Sequence, residues 1–378
     1  MESTRTALIF RSELLPISET FIRSQADSLT EFRPRYAGIQ RAANGLPIPG
    51  DSILVMRDAS IAERVRRRLF VHTGWEPRFY RELRDSTPVL IHAHFAPDGA
   101  AALPLASMLR VPLIVTLHGY DVTSSEKSLR AANTRFYPKR KTRLLDTASV
   151  FLCVSEFIRQ SAIKAGFPES KLRVHYIGVD RQIFTPRSEP LDRNLVLFVG
   201  RLVEKKGCAF LIKAMGSVQN RCRDAKLVVI GAGPLRQPLE SLALKVGVSC
   251  QFLGSQPSTV VREWLGRARV FCVPSVTASN GDSEGLPIVF TEAQAMGVPV
   301  VSCRHAGIPE VIRDGETGLL APERDDKTLA EHLLRYLTDQ AFWAACSQRA
   351  PEKIAERFDL HQQTHELEQI YSSIVSEF

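Results

Sequence analysis

Glu284 and Glu292 lie in the stretch Ser279-Asn280-Gly281-Asp282-Ser283-Glu284-Gly285-Leu286-Pro287-Ile288-Val289-Phe290-Thr291-Glu292-Ala293. It follows an apolar run ending Val273-Pro274-Ser275 and leads into a helical pattern through Met296. A carboxylate in the loop and a second about two turns into the helix suit hydrogen bonds to hydroxyls on two different sugar rings. Gly285 lets backbone approach a ligand, and Pro287 suits the first helical turn. The free amides around Gly285 and Leu286 could hold an anion such as a diphosphate. The same pattern also describes a capped helix with solvated acids.

A second cluster is Phe198-Val199-Gly200-Arg201-Leu202-Val203-Glu204-Lys205-Lys206-Gly207. A strand ends at Gly200, and Arg201 and Lys206 follow it closely. Two cations there can neutralise charge developing on a phosphate leaving group, although such residues in turns are often just solvated. In Val229-Ile230-Gly231-Ala232-Gly233-Pro234-Leu235, Gly231 and Gly233 invite a dinucleotide reading, but Arg236 stands where the third glycine belongs. His118 follows the apolar run Leu113–Thr116, a place where a lone histidine can be structural or can face a ligand. His92 and His94 alternate along a strand and so share a face, which would suit a metal pair. No third ligand can be assigned to them, so a cleft-lining or packing role is favoured and no metal is expected.

These residues need elements to hold them. Apolar runs at Thr6–Phe10, Val89–His92, Leu113–Thr116, Val150–Val154, Leu195–Val199, Lys226–Ile230, Val270–Val273 and Val298–Ser302 read as strands. Longer amphipathic segments such as Phe210–Val218 and Leu235–Val246 lie between strands and read as helices. Alternation of this kind means parallel sheets covered on both faces, the doubly wound α/β architecture, in which ligands sit beyond the carboxyl ends of the strands. The polar stretch Ile177–Asp192, with Gly178, Pro186 and Pro190, reads as a linker. The expected division is a first domain over residues 1–180 and a second over 191–359. In the tail, Leu367, Ile370, Tyr371 and Ile374 recur at helical spacing.

The chain has 378 residues, enough for two ordinary domains. It lacks an eighteen-residue apolar run and a secretion-signal pattern at its start. Seven cysteines, with no CxxC pair, read as reduced thiols in a cytoplasmic protein. The net charge of +8 is uneven: residues 1–190 hold 28 basic and 19 acidic side chains, and residues 191–378 hold 21 and 22. A basic half implies an anionic partner.

Taken in order, the motifs resemble the GT4 family of GT-B glycosyltransferases, retaining enzymes that use nucleotide sugars. The resemblance rests on the E-x7-E pair, on the G-R-x4-K-G stretch, and on Gly231 to Leu235. It extends through Ala295-Met296-Gly297-Val298-Pro299, Gly307-Ile308-Pro309-Glu310 and Asp314-Gly315-Glu316-Thr317-Gly318. Pro16-Ile17-Ser18-Glu19-Thr20-Phe21-Ile22, His92-Ala93-His94-Phe95 and Thr116-Leu117-His118-Gly119-Tyr120-Asp121 are similar to exopolysaccharide enzymes of the colanic-acid type. Ser18 is a plausible helix N-cap in that first motif.

The resemblance implies two Rossmann-like domains facing a central cleft, with a last helix, about 360–378, returning to the first domain. It implies that Arg201 and Lys206 stabilise the donor diphosphate and that Glu292 binds the ribose. Glu284 would contact the donor sugar, and the amides at Gly285, Leu286 and Pro287 would hold phosphate or sugar oxygens. His118 would face the transferred sugar. Gly200, Gly231 and Gly233 line the same nucleotide site by this resemblance. The implied activity is metal-independent, retaining hexosyl transfer without a cofactor, with a UDP-sugar as first donor and GDP-mannose as second.

The implied acceptor is a glycan, lipid-linked or soluble. Arg64, Arg66, Arg67 and Arg68, with Ile61, Val65 and Leu69 at helical spacing, and the cluster Lys139, Arg140, Lys141 could meet an anionic inner-membrane surface. An ordinary solvated helix face reads the same way. Nucleic acid is disfavoured, because no reading motif accompanies the charge. A sugar-nucleotide epimerase, a non-catalytic nucleotide-binding scaffold and, more distantly, a nicotinamide oxidoreductase are the competing readings.

Overall fold

Short runs of aliphatic and β-branched residues, buried on both faces, build two parallel sheets. The computed structural model describes residues 5–43, 45–58, 60–124, 137–187 and 192–378. The chain divides into two units, Met1–Gly178 with Leu360–Phe378, and Val179–Asp359. Pro190, placed in the expected linker, lies outside the described residues.

In the first unit the strands are β1 (Arg5–Leu14), β2 (Phe32–Arg41), β3 (Ile53–Leu54), β4 (Pro88–His94), β5 (Leu113–Leu117), β6 (Val150–Cys153) and β7 (Leu172–Val174). Their order is β3-β2-β1-β4-β5-β6-β7, and every pairing is parallel. The chain winds outward from β1 to β3, then returns to lay β4 on the other side of β1. The junction of β1 and β4 is therefore a topological switch point, where loops diverge and leave a crevice. β2 is hidden in the sequence by Arg33, Pro34 and Arg35. Pro34 is tolerated because β3 pairs only at Ala37 and Gly38, so β2 is an edge strand at Pro34.

The second unit repeats the plan with β8 (Leu195–Val199), β9 (Lys226–Ile230), β10 (Cys250–Gly254), β11 (Val270–Cys272), β12 (Val300–Cys303) and β13 (Gly318–Ala321). The order is β10-β9-β8-β11-β12-β13, all parallel, with the switch point between β8 and β11. β8 is an uninterrupted Leu-Val-Leu-Phe-Val, the pattern of a strand covered by helices on both sides.

The last helix, Leu360–Glu377, belongs to the first unit. Leu367 and Tyr371 sit in one cluster with Ala7, Phe32, Leu90, Ile114, Val150 and Leu152 from the sheet. Tyr371 Oη lies 2.5 Å from His92 Nδ1 on β4. The buried Glu368 carboxylate accepts the backbone N–H groups of Thr30, Glu31 and Phe32 at 2.7, 2.6 and 3.3 Å, where the chain enters β2. A carboxylate shared among three amides stabilises strongly, since its loss leaves several donors unpaired. Glu368→Ala is expected to destabilise the first unit by about 2–4 kcal/mol. Urea unfolding followed by tryptophan fluorescence and circular dichroism would measure it, and an unchanged midpoint would remove this clamp from the account.

Candidate functional site

Beyond β8 and β9 the two chain segments stay close together. Gly200 N–H donates to Ile230 O at 3.0 Å and Leu202 N–H donates to Ala232 O at 2.9 Å. A Cβ on Gly231 would fall 1.9 Å from Gly200 O, and one on Gly233 would fall 2.4 Å from Leu202 O. Both positions require glycine because backbone passes against backbone, a need that exists without any ligand.

The next turn aims the lysines. Glu204–Lys206 forms one 3₁₀ turn that ends on Gly207 with φ +65°, where a Cβ would overlap Pro274 O. That close approach presses the turn against the loop after β11. Lys206 Nζ lies 3.0 Å from Glu284 Oε1, with both side chains mostly buried. Lys205 Nζ donates to Asp282 Oδ1 at 2.9 Å, and Ser279 Oγ donates to Glu204 Oε2 at 2.7 Å. Burial alone would push the Glu284 carboxyl up, but Lys206 and Lys205 outweigh it and hold it at about 2. For Lys206, burial wins over Glu284 and the ammonium is lowered from its ordinary value.

Two further groups at this site have no partner among the described residues. Arg201 is exposed and meets no acid. Glu292, on the helix Ile288–Ala295, is half-buried and makes neither an ion pair nor a hydrogen bond. Burial raises its carboxyl to about 7. Pro287 is the N-cap of that helix, one position before its first turn, and Leu286 is buried beside it. The carboxyl ends of β8, β9 and β11 thus gather two cations, an ion-paired glutamate and an unpaired glutamate at one switch point.

The first unit gathers different chemistry at its own switch point. Arg11 on β1 makes a two-pronged contact with Glu19, Nε to Oε2 at 2.8 Å, and also bonds to Asp98. Glu19, not Ser18, is the N-cap of the helix Thr20–Asp27, and its side chain is committed to Arg11 instead of the cap. The rings of His92, His94 and His118 stack in series, with centroids 4.4 and 5.3 Å apart. His94 Nδ1 lies 3.1 Å from His118 Nε2. Burial, and then neighbouring cations and imidazoles, hold His94 and His118 well below the usual range, so both are neutral at pH 7. His92 has Tyr371 on one nitrogen and Thr116 on the other, at 2.5 and 2.6 Å, which favours packing over metal binding. Among the described residues there is no cluster of three or more metal-ligating side chains. Asp121 accepts the backbone N–H groups of Ala96, His118 and Gly119, fixing the turn that presents His118.

Residues 180–353 match the family described as glycosyl transferases group 1, and residues 41–183 match glycosyltransferase family 4. WcaL of Escherichia coli strain K12, named for colanic acid biosynthesis, is 32% identical over 276 residues, 71% of this chain. The match spans 66% of that relative's length. TuaC of Bacillus subtilis strain 168, named for teichuronic acid biosynthesis, is 32% identical over 304 residues, 77% of this chain and 72% of its own. The chain belongs to the family 4, group 1 glycosyltransferases. Its fold is shared with HepE of Anabaena, solved with UDP and glucose, at a TM-score of 0.76 and 18% identity over 98% of this chain and all of that one. The two doubly wound sheets are those of the GT-B class.

Within this glycosyltransferase the second unit brings Gly200, Arg201, Lys206, Glu284, Gly285, Leu286, Pro287 and Glu292 to the ends of β8 and β11, and Gly231 and Gly233 to the end of β9. His118 belongs to the first unit, at the end of β5. Arg11, Asp121, Lys205 and Asp282 were missed by sequence reasoning. Lys205 and Asp282 carry a signal only in hindsight, since their pairing depends on a fold that joins residues far apart in sequence.

The raised carboxyl of Glu292 has a pH signature. Its ordinary value is 4.5 and its folded value about 7, so its contribution is fully present below 4.5 and lost as pH rises through 7. Glu292→Gln, which never ionises, should gain about 2 kcal/mol on the parent between pH 5 and pH 8, once residual solvent contact is allowed for. Melting temperatures of both proteins across that range would test it; a constant difference would contradict the raised value.

Proposed function

We propose that the chain transfers a hexose, with retention, from a nucleotide-sugar donor to a glycan acceptor carried on a polyprenyl diphosphate in exopolysaccharide assembly. The observation that carries this reading is the Lys206–Glu284 pair, with unpartnered Arg201 and Glu292 at the same strand ends. A diphosphate placed there meets two cations, while Glu292 is free to accept from a ribose diol and Glu284 from a sugar hydroxyl. UDP-sugars are the first donor, supported by the fold shared with a UDP-bound structure, and GDP-mannose is the second. In transfer, the acceptor oxygen bonds to the anomeric carbon as the bond from that carbon to the diphosphate oxygen breaks. The acceptor proton passes to the leaving phosphate. Both glutamates grip the donor in this scheme, and neither is the nucleophile that a glycosidase would use. Arg201 and Lys206 stabilise the developing charge, the task a metal ion performs in other transferases.

The acceptor half of the proposal has its own support. In the helix Ile61–Thr73 the acid faces inward: Glu63 is buried and paired with Arg66 and Arg78 at 3.1 Å each. The apolar stripe faces outward, with Ile61, Val65 and Leu69 exposed by 82, 60 and 46% and Trp75 by 53%. Exposed Arg64 and Arg68 flank it, an arrangement suited to an anionic lipid surface. Arg66 is spent on Glu63. In the second cluster, Lys141 Nζ donates to Ala165 O and Arg140 to Ala100 O, leaving Lys139 exposed. No described helix is long and apolar enough to cross a membrane.

Two experiments separate these halves. UDP, GDP and their sugars should raise the melting temperature by linkage, and Lys206→Ala should weaken that response by about tenfold in apparent affinity. An unchanged response would take Lys206 out of the donor site. Vesicles containing anionic phospholipid should retain the protein at low salt, and Val65→Asp with Leu69→Asp should release it. Equal retention by neutral vesicles would sink the charge-led version of membrane docking.

A further inference from the structure

The loop that carries Glu284 is tied at both ends by a pair of side chains outside the motifs. His305 follows β12 and is buried; Glu323 follows β13. His305 Nδ1 lies 2.7 Å from Glu323 Oε1, so this nitrogen carries the proton and donates it to the carboxylate. In the tautomer with its proton on Nδ1, Nε2 is the acceptor that faces the Glu284 backbone N–H, at a long 3.5 Å. Glu323 Oε2 accepts the Thr277 N–H at 2.9 Å, while the Arg324 guanidinium donates to Thr277 O at 2.7 Å. One imidazole–carboxylate pair therefore holds residue 277, where the loop begins, and residue 284, where it delivers its glutamate.

The backbone records how tightly this pair is set. Ala306 and Arg324, each directly after a member of the pair, have φ of +50° and +63°. Such conformations cost about 1 kcal/mol or more for residues with a Cβ and persist only where the surroundings fix them. Lys205 and Glu204 tie the opposite side of the loop through Asp282 and Ser279. They leave the Glu284 amide to His305.

We infer that His305 is a positioning residue for donor recognition: held by Glu323, its Nε2 anchors the Glu284 amide and so sets the reach of that carboxylate to the donor sugar. This rests on the donor site proposed above. Its specific consequence is selective. Misplacing Glu284 weakens the grip on the sugar and leaves the nucleoside diphosphate, held by Arg201, Lys206 and Glu292, largely unaffected.

The test is isothermal titration of the full chain with four ligands, UDP, UDP-glucose, GDP and GDP-mannose. His305→Asn keeps a donor at the place of Nδ1 and loses the acceptor at Nε2; His305→Gln keeps an acceptor near Nε2 and loses the bond to Glu323. The asparagine variant should lose about fivefold or more in affinity for the bound sugar nucleotide with under about twofold change for its nucleoside diphosphate, and the glutamine variant should recover most of that loss. Equal weakening of both ligands, or no change in either, overturns the inference. Lys206→Ala in the same titration keeps the two claims apart. If it weakens both ligands while the asparagine variant does not discriminate between them, the donor site stands and the role of His305 falls. If Lys206→Ala changes nothing, or the parent protein binds none of the four ligands, the donor-site reading fails and takes this inference with it.

Discussion

The second unit is organised around one buried ion pair. Desolvating a carboxylate and an ammonium costs several kcal/mol for each ion, and only good geometry and further hydrogen bonds offset it. At 3.0 Å, with Lys205 adding its field, Glu284 stays ionised despite burial. The pair depends on a sequence of tight backbone contacts. Gly207 must pass against Pro274, and Gly231 against Gly200, before the turn carrying Lys206 can meet the loop carrying Glu284. A pair of this kind adds little stability beyond what well-packed apolar residues would supply. In the proposed donor binding, an incoming phosphate would take over the ammonium and leave the carboxylate to a hydroxyl donor.

The two units share a winding order and use it differently. Each brings its charged groups to the switch point beside its first strand. In the first unit the charge is closed in on itself, since Arg11 is already satisfied by Glu19 and Asp98. Burial, with that satisfied cation and the neighbouring imidazoles adding to it, lowers the basicity of His94 and His118. The result is a neutral imidazole surface, able to donate or accept without carrying charge. In the second unit Arg201 and Glu292 are left open. Under the proposed function, the contrast would put anion binding at the ends of β8 and β11 and uncharged hydrogen bonding at the end of β5.

Much of this was legible in the sequence where local chemistry and fold agree. The buried strand β8 is a continuous apolar run and β9 is one after its exposed first residue, Lys226, and the E-x7-E spacing places one acid in a loop and one on a helix. Other parts were illegible for definite reasons. β2 looks like a polar loop because its arginines point away from the core and its proline falls where only one neighbour bonds to it. Ser18 fits a capping pattern, yet Glu19 beside it takes the cap position, with its carboxylate committed to Arg11 on β1. His305 has no motif of its own; its meaning comes from Glu323 and Glu284, which only the sheet order β11-β12-β13 brings together.

The excess positive charge of residues 1–190 shows why a count is a poor guide to partners. Many of those arginines and lysines are consumed inside the first unit: Arg11 on two acids, Arg66 and Arg78 on Glu63, Arg140 and Lys141 on carbonyls, and Arg159 on Glu156 and Glu169. A cation paired with an acid exerts little field beyond a Debye length, so Arg11, Arg66, Arg78 and Arg159 add almost nothing to long-range attraction. Arg140 and Lys141, bonded to neutral carbonyls, keep their charge. Among the exposed cations that can act on a surface are Arg64, Arg68 and Lys139, and such single charges are worth about 1 kcal/mol each near an anionic membrane. That is too little for stable docking without apolar insertion. In the proposed docking, the outward stripe of Ile61, Val65 and Leu69 would supply it, because the buried ion pair of Glu63 has turned the helix so that its acid faces in. The inward acid and the outward apolar stripe are two consequences of one rotation, and it is that rotation, rather than net charge, that a membrane would read.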